Sequence, residues 1–117
     1  MKLDFIKRIV VAGLMVFSAN GNTVVDYELG VINRTVSDAT YFGGCMIGSP
    51  DFNPSNSCLA GWASIDCEGN FTSKDDARRM WESAQLAYAL NHKVLIAIND
   101  AKKLNGYCVV ERLDVVK

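Results

Sequence analysis

One stretch restricts the fold of this chain more than any other. SKDDARRMWESAQLAYALNHK, residues 73–93, is a single amphipathic helical segment set in a sequence whose remainder reads as strand and turn. Ala77, Met80, Trp81, Ala84, Ala87 and Tyr88 recur at helical spacing and predict one apolar stripe. Ser73 is the predicted N-cap, Asp75 and Asp76 sit where the helix dipole favours carboxylates, and Asn91 is suited to a left-handed C-cap. Small side chains on the stripe permit close approach to a sheet, and Met80 and Trp81 supply the bulk to fill its end.

The flanks predict five strands. NTVVDYELGVINRTV (22–36) reads as one long strand bent at Gly30, and ATYFGGCMIG (39–48) as a second. SPDFNPSNS (49–57) is dense in turn formers and predicts an exposed loop. CLAGWASIDCEG (58–69) reads as a third strand, with Trp62, Ser64 and Asp66 on the face opposite Ala63, Ile65 and Cys67. VLIAIND (94–100) is a buried strand, AKKLNG a turn ending in the hairpin signal Asn105-Gly106, and YCVVERLDVVK (107–117) the last strand. The order β-β-β-α-β-β predicts a mainly β, OB-fold-like small barrel with its helix between strands three and four. A helix lying across an open antiparallel sheet satisfies the same pattern. Neither repeat, low-complexity tract nor linker interrupts residues 22–117, which read as one domain.

The N-terminus reads differently. MKLDFIKR is short and basic, IVVAGLMVF is a nine-residue apolar run and SANGN is small and polar, the layout of a signal peptide over residues 1–21. Cleavage after Gly21 puts Ala19 and Gly21 at the two small-residue positions, whereas cleavage after Ala19 puts Phe17 at one of them. A buried N-terminal strand or an uncleaved anchor is the competing reading. The apolar run is too short to span a membrane, which takes about 20 residues, so the mature chain is expected to carry no span and to be secreted or periplasmic. The whole chain has 12 basic and 13 acidic residues; without Lys2, Lys7, Arg8 and Asp4 it keeps nine and twelve, a formal charge of −3. Its only basic pairs are Arg78-Arg79 and Lys102-Lys103, which argues against nucleic acid as a partner.

Cys45, Cys58, Cys67 and Cys108 all fall in the mature part, and an even count in a small exported domain predicts two disulfides out of three possible connectivities. Zinc is the weaker alternative, because no Cys-x-x-Cys pair exists and His92 is the only histidine. The barrel order suggests Cys45 with Cys58, stapling the 49–57 loop, and Cys67 with Cys108, joining the third strand to the last.

The entry YFGGCMIG, a cysteine after a polar loop at Cys58, the Trp62 strand and the helix end QLAYALNHKVLIAI together resemble the B subunits of AB-type bacterial toxins, closest to the subtilase cytotoxin and typhoid toxin type. The similarity covers roughly residues 24–100; KKLNGYCVVERLDVVK looks more like small exported proteins of Gram-negative bacteria. The resemblance implies a homo-oligomeric ring, commonly a pentamer, that binds sialylated or other cell-surface glycans and carries an enzymatic A subunit. Its helices would line a central pore and its edge strands would pair between neighbours. The family's binding groups lie near the end of strand one, where NTVVDYELG has no matching serine, so no binding residue carries over.

From the residues themselves, Tyr41, Phe42, Phe52 and Trp62 with Asp51 and Asn53 could form a sugar platform, aromatic faces meeting C–H groups while amides and carboxylates meet hydroxyls. The competing reading makes Trp62 and Tyr41 core or interface residues, which is the favoured one for Trp62, and has Phe52 merely tack down its loop; of the set, Phe52, in a turn-rich loop, is the better candidate for an exposed contact. His92 lacks a nucleophile or orienting partner, and the helix start accounts for Asp75 and Asp76. The sequons at Asn33 and Asn70 carry little meaning in a bacterial protein. No catalytic set, metal site or cofactor is predicted. The expected function is a non-enzymatic binding module for glycan or protein, the alternative a small monomeric interaction or inhibitor protein without glycan binding.

Overall fold

The computed structural model describes residues 24–117; the expected signal peptide lies outside the described residues. The long first strand is divided into β1 (Val25–Val31) and β2 (Arg34–Ser37). The break falls at Ile32-Asn33 and not at Gly30, whose missing side chain serves a close approach instead: a Cβ there would lie 2.7 Å from the Asp51 Cβ. A 3-10 turn, Phe42–Gly44, leads into β3 (Cys45–Gly48), which is followed by β4 (Trp62–Ser64), α1 (Lys74–Leu90), β5 (Lys93–Leu104) and β6 (Tyr107–Val116).

These form one sheet in the order β1-β5-β6-β4-β3-β2, with β4 and β6 parallel and every other pair antiparallel. The outermost members, β1 and β2, are consecutive segments of one chain. The sheet must therefore curl until its two ends come within two residues of each other. The expected small barrel is corrected on this point: the ends meet through the chain at Ile32-Asn33, and no ladder closes the sheet. The class is as predicted, mainly β with one helix and two disulfides.

Boundaries differ where turns compete with strands. The third strand shrinks from 58–69 to three residues, because Gly61 and Asp66 adopt left-handed φ values of 89° and 62° on either side of it. The fourth runs on to Leu104 through a register shift between Asn99 and Lys103, so the hairpin turn is Asn105-Gly106 alone, with φ of 55° and 91°.

Helix α1 starts and stops as its sequence predicts. The Ser73 hydroxyl accepts the Asp76 amide at 3.1 Å, and Asn91 sits in the left-handed region with its amide on the Tyr88 carbonyl. Ala77, Ala84 and Ala87 are fully buried, and Met80 and Trp81 pack against the core with Ile47, Ile65, Ile96 and Ile98. Each such isoleucine contributes about 1.5–3 kcal/mol on burial. Tyr88, expected on the stripe, is 45% exposed. The helix lies on β5 and β6.

The disulfides are Cys45–Cys67 and Cys58–Cys108, with Cα separations of 5.7 and 5.4 Å, which corrects the pairing suggested by the barrel order. The β3–β4 register is the cause. Gly48 faces Trp62 and Met46 faces Ser64, so the 49–61 connection leaves from the end of the hairpin opposite Cys45. Cys58 belongs to that far end and reaches Cys108 on β6, while Cys45 finds Cys67 where the chain leaves β4. Loops of 22 and 50 residues correspond to about 3 and 4 kcal/mol of stabilisation in the chain-entropy picture.

Candidate functional site

Pairing places Arg34, Gly48 and Trp62 in one row across β2, β3 and β4, and Val36, Met46 and Ser64 in the next. The rows share a face of the sheet because side chains alternate along each strand. Glycine at 48 allows the Trp62 indole to lie across the backbone: a Cβ there would be 2.7 Å from the indole Cζ3. The Arg34 guanidinium stands 5.3 Å from the indole centroid, an exposed cation–π contact worth about 0.5–1 kcal/mol.

Phe42 comes to this face from the 3-10 turn. Its φ of 62° is held by two bonds: its amide donates to the Asn105 side-chain oxygen at 2.8 Å, and its carbonyl accepts the Ser64 hydroxyl at 2.6 Å. Tyr107, at the start of β6, meets Phe42 edge-on with ring centroids 5.9 Å apart. Arg34, Val36, Phe42, Met46, Trp62 and Tyr107 line a cleft of about 260 Å³. A second cleft of about 270 Å³ shares Arg34 and Trp62 and is completed by Asn33, Gly48, Ser49, Pro50 and Gly61. The arrangement offers aromatic surface, one cation and backbone polar groups. In chemical terms, ring faces suit apolar C–H or π surfaces and the guanidinium suits an anion or a hydroxyl acceptor.

The predicted site residues divide. Trp62 lines both clefts, and Tyr41, 54% exposed, touches Phe42 at 6.1 Å between centroids without lining either. Phe52, expected as an exposed contact, is 2% exposed and belongs to the core, because the loop folds inward over β1. Asp51 and Asn53 are exposed but tie that loop down: the Asp51 carboxylate accepts the Val31 amide at 3.1 Å, and the Asn53 amide donates to Glu28 at 2.9 Å. Sequence reasoning missed Arg34 and Tyr107. Arg34 alternates with Val36 along the expected first strand, but nothing in the sequence tells that this face meets Trp62 and Tyr107 from other strands.

Asp66 is another residue whose role the sequence concealed. It is fully buried and accepts the amides of Asn70, Phe71 and Thr72 and the Asn70 side-chain amide at 2.6–3.0 Å, while its own amide donates to Ser64. Burial pushes its carboxyl upward, but these amides outweigh burial and hold it below 3.8. Asp75 and Asp76 pair with Arg78 and Arg79 on the exposed helix start. Among the described residues, no group of three or more His, Cys, Asp or Glu side chains converges on a point that could hold a metal ion, and no helix is long and apolar enough to cross a membrane. No family model, curated protein or solved structure matches this chain, so the site is defined by its own geometry.

Proposed function

We propose that this chain is an exported, non-enzymatic binding module that recognises cell-surface glycans through the paired clefts around Trp62 and Arg34. The observation that carries the reading is the aromatic-and-arginine surface itself: Phe42, Trp62 and Tyr107 beside one guanidinium, open to solvent. Aromatic edges and faces suit sugar C–H groups, and the Arg34 fork suits a sugar carboxylate or hydroxyl pair. Two disulfides favour an oxidising compartment, secreted or periplasmic. Assembly with copies of itself, and with an A subunit, follows from the resemblance to toxin B subunits and is supported by the apolar outer row of β1, Val25, Tyr27 and Leu29.

A glycan array probed with the disulfide-intact protein, followed by NMR titration of each hit, tests the proposal. Shifts concentrated at Arg34, Phe42, Trp62 and Tyr107, with affinity reduced about tenfold or more by Arg34→Ala, are expected. A protein that retains no glycan, or whose hits leave these residues unshifted, is instead a small interaction protein.

A further inference from the structure

The two disulfides sit in unlike surroundings. Cys108 is fully buried and Cys58 is 9% exposed. Cys45 and Cys67 instead line a cleft of about 540 Å³, larger than either cleft around Trp62, and Cys67 is half-buried. That volume lies within the range of small-molecule sites, about 300–1,000 Å³. The cleft opens on the other face of β3 from the first Trp62 cleft, because Cys45 precedes Met46 on the strand and Met46 lines that one. Ser37, paired with Cys45 across β2 and β3, stands on its rim, and Trp81 of α1 forms part of its wall. Charge around the rim is balanced: Lys74 and Arg78 are met by Asp75, bonded to Arg78 at 3.4 Å, and by Glu68, whose side chain lies across Gly44. The cleft thus supplies access to the sulfurs and not attraction of one charge.

We propose that Cys45–Cys67 is a thiol-exchange site, opened through this cleft by a low-molecular-weight thiol while Cys58–Cys108 stays closed. The incoming thiolate attacks the sulfur of Cys67, the more exposed partner. The S–S bond breaks, a mixed disulfide forms at Cys67, and Cys45 leaves as a thiolate that takes a proton from water. A second thiolate attacks the small thiol's sulfur in the mixed disulfide and frees Cys67. Both cysteines are then reduced, and the two small thiols are oxidised to their own disulfide. Attack on Cys58 or Cys108 first requires the fold to open locally, because buried sulfurs are out of reach of a thiolate in solution.

The surroundings also keep the opened form folded. The Ser64 hydroxyl donates to the Phe42 carbonyl at 2.6 Å, the Glu68 amide to the Gly43 carbonyl at 2.8 Å and the Ile65 amide to the Cys45 carbonyl at 3.0 Å. These bonds tie the two cysteine-bearing segments together without the S–S bond. They hold Cys45 beside Cys67, so the disulfide closes again once the thiol is removed. They also seat Phe42, which puts the exchange site directly behind one wall of the Trp62 cleft. The inference holds whatever ligand that cleft takes.

The disulfide-intact protein should be incubated with glutathione in mildly alkaline native buffer and sampled into acid. Free thiols are then alkylated and each cysteine is assigned by peptide mapping. Alkylation at Cys45 and Cys67 is expected to outpace that at Cys58 and Cys108 by roughly tenfold or more, with any glutathione conjugate on Cys67. In strong denaturant the two bonds should open together, since the fold alone separates them. Ser37→Trp sets an indole at an exposed position on the rim; it should slow the first opening several-fold and leave the second unchanged. Equal rates in native buffer, earlier opening of Cys58–Cys108 or a conjugate on Cys45 overturns the inference. So does a folded Ser37→Trp variant that opens as fast as the native protein. Should the variant not fold, the order of opening in the native protein decides alone.

Discussion

At the scale of single residues, Asp66 organises more backbone than any other side chain near the cleft. Four donors converge on it, and Ser64, bonded to the Asp66 amide, also holds the Phe42 carbonyl. Asp66→Ala removes a buried, charged acceptor from four part-buried hydrogen bonds; a bond to a charged group contributes about 1.5–3 kcal/mol, so a loss of about 3 kcal/mol or more is expected in urea unfolding. The lowered carboxyl fixes the sign of the pH effect: its contribution is full above 3.8 and is lost as pH falls through its folded value. The stability gap between the native protein and Asp66→Asn should therefore narrow below about pH 4; a gap that widens there contradicts the amide cradle. Gly48 makes a complementary case, since its lack of a side chain is what seats Trp62. Gly48→Ala should displace the indole at a cost of about 1–3 kcal/mol and shift Trp62 emission to the red in a Trp81→Phe background. Unchanged emission would mean that the indole rests elsewhere.

At the scale of elements, legibility followed locality. The helix was readable because every determinant, from Ser73 to Asn91, acts within a turn or two of itself. So was the Asn105-Gly106 hairpin. The 49–57 segment is an exposed loop, as its turn formers predict, but no local signal tells that its backbone donates to Glu28 and Asp26 on β1 or that Phe52 turns into the core. The disulfides failed for the same reason: connectivity depends on the β3–β4 register, and no single segment encodes which end of that hairpin Cys58 occupies. Cleavage before Asp38, Asp51, Asp66, Asp75, Asp100 and Asp114 gives each cysteine its own peptide. Non-reduced mapping should link 38–50 to 66–74 and 51–65 to 100–113. Any link between 38–50 and 51–65 would restore the pairing suggested by the barrel order.

At the scale of the whole molecule, the curled sheet leaves a question at its outer edge. Edge strands that face water are ordinarily blunted by charge, and β1 does carry two acids, but it turns them inward and presents Val25, Tyr27 and Leu29 at 41%, 58% and 49% exposure. A second patch, Leu86 and Leu90 on the last turns of α1, is likewise exposed. In the ring proposed above from the resemblance to toxin B subunits, the helix would face the pore and the edge strand the neighbour. Closed cyclic assembly would cover both without an open filament. Native mass spectrometry of the disulfide-intact protein should then show a ring of about five copies, as the resemblance implies, and Tyr27→Lys should reduce it to monomers, because burying an unpaired ammonium at that contact costs several kcal/mol. Far-UV circular dichroism of the variant should match the native protein, since the Tyr27 side chain is mostly exposed. A native monomer at micromolar concentration would end the ring reading and leave the outer row of β1 as a surface for a different partner.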